Sequence, residues 1–257
     1  MNQEKGIKEQ NEYKAPPTDG KSDTTPTVNT NPVNSESIID VDKLVRYLGT
    51  QKYTVYNDPY HLNIIAIRNK VKDNGTITNK FDDWAWVFYK DNNNAWNCHK
   101  YNITTTPGYL PGSERLPQKS AAMLVYAQFI DKWILGYHQN RTGKDGGKKN
   151  NDGTIAPEHK CLRNATTAQV RNTPSGTNYI KPGQKQYEEG AIGINLHHAG
   201  NGITTNVNNW SEGCIVWASK NQHDEFIQLC EQQVDKTGKG RFTLTLIPQK
   251  DWDAFNG

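Results

Sequence analysis

The sequence predicts a mainly β domain of the α+β kind, a mixed sheet with a few packing helices, preceded by a disordered polar tail. Three observations carry this expectation. Segments rich in β-branched and aromatic residues recur down the chain with Gly, Pro and Asn clusters between them. Only two stretches keep the apolar period of a helix. The first 36 residues, MNQEKGIKEQNEYKAPPTDGKSDTTPTVNTNPVNSE, are almost without aliphatic side chains.

That opening segment cannot bury enough apolar surface to offset its ordering entropy, so residues 1–36 read as a tail or tether. It lacks the apolar core of a secretory signal, and no run in the chain approaches the roughly 18 apolar residues of a membrane span. Order is expected over residues 37–257, as one domain. SIIDVDKLVRYLGTQ reads as a helix with Ile39, Leu44, Val45 and Leu48 near one stripe and Gly49 as its stop. KYTVYND and HLNIIAIRN follow as strands. KFDDWAWVFYK is apolar on both faces, through Trp84, Trp86 and Phe88 against Ala85, Val87 and Tyr89, which marks a central strand. From Trp96 to Pro117 the chain is punctuated by Pro107, Gly108, Pro111, Gly112 and Pro117 and reads as turns. SAAMLVYAQFIDKWILGYH carries two strands with a turn near Asp131 and Lys132, completing a group of N-terminal strands over 37–140. Residues 141–160 form a long Gly/Lys/Asn-rich loop, a solvated excursion or a guide for an anionic polymer. AIGINLHH and CIVWAS are strands, residues 221–236 a helix, and GRFTLTLIPQ a closing strand.

Composition narrows the function classes. A net charge of +3 with no Lys/Arg cluster among aromatics gives no case for nucleic acid. Seven Trp and twelve Tyr suit a β-rich core, or a cleft that stacks on sugars or peptides. The four cysteines, Cys98, Cys161, Cys214 and Cys230, include no CxxC pair and suggest no disulfide framework. Cys230 falls on a helical stripe with Phe226 and Val234 and reads as a core thiol.

The chemistry-bearing stretch is GINLHHAGNGITTNVNNWSEGCIVW, residues 193–217. Strand alternation places Ile192, Ile194 and Leu196 on the core side, with His198, and Gly193, Asn195 and His197 on the other. Adjacent histidines on opposite faces are poor joint ligands, and no convergent ligand set is offered, so neither metal nor other cofactor is expected. Gly213 sets a turn immediately before Cys214. A sharp turn there can display the thiol beside backbone N–H groups, and an imidazole can raise the thiolate fraction of a cysteine whose free pKa is about 8.5. On these grounds alone, a catalytic Cys214–His197 pair and a buried structural cysteine stand level.

The motif pair GINLHHAG and NNWSEGCIVW resembles the signature of the L,D-transpeptidase catalytic (YkuD-like) family, and more closely a divergent phage and Bacteroidota-type branch with a Ser-x-Gly-Cys motif. There, LNIIAIRN, FDDWAWVFY and TTTPGYL have upstream counterparts. The resemblance implies a YkuD-like sheet, Cys214 as acyl-accepting nucleophile, His197 as general base, and Gly213 and Ser211 shaping an oxyanion turn. It implies cysteine-dependent acyl transfer on peptidoglycan stem peptides through a thioacyl-enzyme, either hydrolysis or L,D-transpeptidation, in a hydrolase or transferase such as an endolysin. Glu212 stands where the family has a second histidine, and the spacing from His197 to Ser211 is slightly short.

Candidate substrate contacts are His198, Trp210, Glu212, His138 and Arg141. The expected partner is bacterial peptidoglycan, with the tail joining the domain to a phage particle or contractile injection system, so that a protein made in the cytoplasm acts at the wall after delivery or lysis. The alternative function, motivated by Glu212, is a catalytically inactive peptidoglycan-binding or structural component of a larger assembly. A papain-like protease is disfavoured because cysteine follows histidine in the chain.

Overall fold

The computed structural model describes residues 35–73, 76–109, 122–138, 160–172, 187–189 and 193–256. The tail up to residue 34 and the loop 141–159 lie outside the described residues.

Helix α1 (Ser35–Thr50) forms where the apolar period predicts it. Strands β1 (Asn63–Arg68), β2 (Asp83–Lys90) and β3 (Trp96–Thr104) make an antiparallel run, β1 to β2 to β3. After β4 (Ala122–Leu124) come the long β5 (Ala127–Tyr137), β6 (Lys160–Asn164), β7 (Ala168–Asn172) and β8 (Tyr187–Glu189). The short β9 (Leu196–His198) and β10 (Ile215–Trp217) pair in parallel, so the turn before Cys214 returns the chain beside the entry to β9. Helix α2 (Lys220–Thr237), strand β11 (Arg241–Pro248) and helix α3 (Gln249–Ala254) complete the described chain. Ser219 caps α2 by accepting from the Gln222 N–H, and Gly238 ends it in the left-handed conformation, φ 69°.

Eight strands close into a barrel in the order β1-β11-β5-β6-β9-β10-β3-β2, and β4-β7-β8 form a separate three-stranded sheet. This corrects the expected fold. The chain is mainly β with few helices, but the sheet is not the open YkuD-like one that the motif implies. Closure depends on β1, which pairs in parallel with β11 on one side and antiparallel with β2 on the other, so the strand nearest each terminus of the sheet protects the other's edge.

Alternation in β1 and β2 explains why both faces are apolar. Ile64, Ala66, Ala85 and Val87 face the main core, which Trp133, Leu196, Trp217, Leu244 and the α2 residues Phe226 and Cys230 share. Ile65, Ile67, Trp86 and Phe88 face outward and are covered by Val41, Leu44, Tyr47 and Leu48 of α1.

Three local expectations change. Residues 52–57 are not a strand. Side-chain amides take the place of a strand partner: Gln128 exchanges both its amide bonds with the Thr54 backbone, each at 2.8 Å, and Asn63 does the same for Tyr56. Residues 127–137 form one strand, because Asp131 takes φ 55° and absorbs the turn as an irregularity opposite Thr243, whose hydroxyl accepts from the Asp131 N–H. The stretch from Trp96 opens with a full-length strand, and its turn residues follow only after Thr104.

Candidate functional site

One end of the barrel gathers the ends of β1 and β3 with the starts of β2, β9 and β10, because Val216 pairs with Thr104 and Ile215 with Leu196. Cys214, Asn195 and the triplet Thr104–Thr106 are therefore neighbours there, and the three threonines are buried.

The Cys214 turn is closed upon itself. The Ser211 hydroxyl donates to the Cys214 carbonyl at 2.8 Å, and the Gly213 N–H donates back to that hydroxyl oxygen at 3.1 Å. The Gly108 N–H donates to the Ser211 carbonyl at 2.9 Å. Gly213 has φ 133°, and a Cβ there would lie 1.8 Å from the Ala122 carbonyl oxygen, so β4 passes directly over the turn and only glycine fits. Residues 193–195 are anchored from the other side, where the Trp133 indole donates to the Ile194 carbonyl at 2.9 Å.

The thiol sits between two backbone groups. It accepts from the Asn195 N–H at 3.4 Å and donates to the Gly193 carbonyl at 3.3 Å. Among the described residues these are its hydrogen-bond partners, and neither is an imidazole. Cys214 as a whole keeps some exposed surface, but enclosure of the sulfur pushes the thiol up to about 11. The Asn195 N–H opposes that shift and the Glu212 carboxylate adds to it.

The histidines are organised around other partners. His197 Nδ1 donates to the His198 carbonyl at 2.8 Å, and its ring stacks on His138 with centroids 3.9 Å apart. The Asn195 amide nitrogen reaches His138 Nδ1 at 3.4 Å, while the amide oxygen accepts from the Asn164 N–H at 3.2 Å. Burial pushes His138 down to about 4, aided by His198 and Arg163. His198 donates to the Ala199 carbonyl at 2.7 Å, and its ring meets His223 at 5.2 Å. His197 and His198 are both buried, at 2% and 4% exposure, so neither ring lies open to a macromolecular substrate.

The structure thus brings Ser211, Gly213 and Cys214 into one turn, with Asn195 linking it to the His138–His197 stack. His198 sits apart beside His223, Glu212 and Trp210 are exposed, and Arg141 lies outside the described residues. These findings overturn the acyl-transfer reading. The thiol is held as a thiol, the turn N–H of Gly213 is spent on Ser211, and no cysteine–histidine nucleophile and base pair is assembled among the described residues. The hydrolase, transpeptidase, endolysin and thioacyl-enzyme expectations fall with it. Among the described residues no group of three or more His, Cys, Asp or Glu side chains could hold a metal ion.

A second polar cluster at the same end carries no motif. Asp83, 1% exposed, accepts from the Asn69 and Thr105 N–H groups and the Thr105 hydroxyl, and forms an ion pair with Lys72 Nζ at 2.9 Å. Lys72 also pairs with Asp82 at 2.6 Å. Arg68 spans the Thr105 hydroxyl and carbonyl and the Leu124 carbonyl, which ties β4 to the barrel. The acidic doublet before Trp84 was the one visible sign of this cluster. Asn79 gave no sign at all, because its partner Asn208 is distant in the sequence.

No protein-family model matches the chain, and neither a curated protein nor a solved structure is significantly similar to it. The YkuD-like resemblance therefore has no support beyond the motif letters, and the closed barrel contradicts it.

Proposed function

We propose that this chain is a non-catalytic binding component for bacterial peptidoglycan, part of a larger assembly to which the polar N-terminal segment tethers it. The observation that carries the non-catalytic part is the Cys214 turn. A thiol pinned between the Asn195 N–H and the Gly193 carbonyl, with its acidity suppressed by burial, supplies no nucleophile near neutral pH. The binding part is supported by what the same segment leaves outside: Trp210 stands 42% exposed immediately before the turn, and a large aromatic held on a rigid scaffold is a favourable binding anchor.

The test is co-sedimentation with purified sacculi, followed by mass spectrometry of the soluble fraction. The expected result is protein in the pellet and no muropeptide released by either the wild type or Cys214→Ala. Release of shortened or cross-linked muropeptides by the wild type alone would sink the non-catalytic reading. Protein left in the supernatant would sink the wall-binding one.

A further inference from the structure

The segment from Ala199 to Ser211, AGNGITTNVNNWS, contains no charged side chain. It leaves Ile203 83% and Trp210 42% exposed, with Asn201, Thr205, Asn206 and Asn209 also exposed. A loop this open would ordinarily be mobile, yet this one is fastened along its length. Val207 is wholly buried, and its N–H donates to the Asn79 carbonyl at 3.0 Å. The Asn79 side chain accepts from the Asn208 N–H at 2.7 Å and the Tyr109 N–H at 3.0 Å, and donates to the Asn208 amide oxygen at 3.0 Å. Thr204 is held by the Ala218 carbonyl at 2.8 Å, and Trp210 by the Val207 carbonyl at 2.9 Å. Gly108 lies so close beneath that a Cβ on it would come 2.3 Å from the Asn208 carbonyl oxygen.

Trp210 is set with equal economy. A Cβ on Gly200 would stand 3.6 Å from its Cζ2 atom, so the indole lies against backbone with no side chain between. An aromatic held in place before binding loses little conformational freedom when a ligand arrives. The chemistry around it selects the ligand. Stem peptides carry free carboxylates and amines, for which residues 199–211 themselves offer no partner charge. The charges that border the stretch, Lys80 beside Asn206, Lys220 beside Gly202 and Glu212 after Ser211, are of both signs and stand at its margins. A neutral sugar offers an apolar C–H face for the indole, with hydroxyl and acetamido groups for the asparagine and threonine side chains.

We propose that residues 199–211 form a saccharide platform, and that its ligand is the N-acetylhexosamine glycan of the wall rather than the peptides. This rests on the wall-binding reading above, and the experiment separates the two. The full chain is pelleted with sacculi in the presence of either N-acetylglucosamine oligomers or free stem peptide. Intrinsic fluorescence is titrated with the same two probes, for the wild type, Trp210→Ala and Trp210→Phe. The expected result is release from sacculi by the oligomers but not the peptide, an oligomer-dependent fluorescence change, affinity lower by about tenfold or more in Trp210→Ala, and partial retention in Trp210→Phe. Trp210 is exposed, so both variants should fold as the wild type does. Release by stem peptide alone would overturn the saccharide platform and leave wall binding intact. A fluorescence response without retention on sacculi would remove the wall and leave the platform. Concentration-dependent self-association lost in Trp210→Ala, with no response to oligomers, would make this surface a contact between copies and overturn the proposal.

Discussion

The imidazole rings of His138 and His197 are stacked face to face, with centroids 3.9 Å apart and planes inclined by 16°. The stack joins the end of β5 to β9, and it persists most easily when the rings do not both carry charge. Burial sets the sign for His138. A histidine in the unfolded chain titrates near 6.5, and His138 in the folded protein is pushed down to about 4. Between those values the unfolded chain binds the extra proton, so stability falls as pH drops from about 6.5 towards about 4, and His138 adds no further slope above or below that window. Urea denaturation of the wild type and His138→Phe at pH 7.5 and pH 4.5 should show a smaller acid loss in the variant. An NMR midpoint for the His138 ring near 6.5 would refute the assignment.

The Cys214 thiol should behave as an enclosed group. With its acidity moved up to about 11, alkylation of native protein by iodoacetamide should stay slow through neutral pH and climb only towards that value. Denatured protein should label at the ordinary thiol midpoint, near 8.5. Fast native labelling at pH 7, with a midpoint below 8.5, would restore a nucleophile to this turn.

Gly213 is the tightest point of the site. Gly213→Ala asks for φ 133° in an L residue and for space 1.8 Å from the Ala122 carbonyl oxygen, so it should cost on the order of 3–4 kcal/mol and displace β4. Gly193→Ala is the matched control. Its φ of 79° is also left-handed, but nothing lies within 4 Å of the added Cβ, and the cost should be about 1 kcal/mol. Equal thermal shifts for the two variants would show that the close approach of β4 adds nothing.

The buried Lys72–Asp83 pair gives a further prediction. Removing Asp83 leaves Lys72 with the Asp82 carboxylate alone, and leaves the Thr105 N–H and hydroxyl without their acceptor. Asp83→Ala should lose about 3–5 kcal/mol, as is usual when one partner of a buried pair is deleted. Combining it with Lys72→Met should recover part of that loss, because the stranded charge goes with it. A double variant as unstable as the sum of the singles would show that the pair is not coupled.

Much of the local structure was legible in the sequence. The helix expected on the stripe of Ile39, Leu44, Val45 and Leu48 is α1, whose buried face also takes in Val41 and Tyr47. Cys230 lies in the core where its spacing from Phe226 put it, and both faces of Asp83–Lys90 are apolar because one meets the barrel core and the other meets α1. The errors have a common cause. Residues 52–57 look like a strand but find side-chain amides as partners, and Asp131 looks like a turn but is taken up within a strand. Local composition records what a segment can do, not what arrives beside it.

Sequence by itself determined the helices α1 and α2, the strands β1, β2, β9, β10 and β11 and the mainly β character, because these follow from side-chain period and short-range spacing. Tertiary structure alone decided that β1 meets β11 and the sheet closes, that His138 stacks on His197, and that the Cys214 sulfur faces two backbone groups. The same letters that suggest a nucleophile and its base are compatible with a silent thiol. Whether a proton can leave is set by burial and by the group at hydrogen-bond distance, and both are properties of contacts between distant parts of the chain.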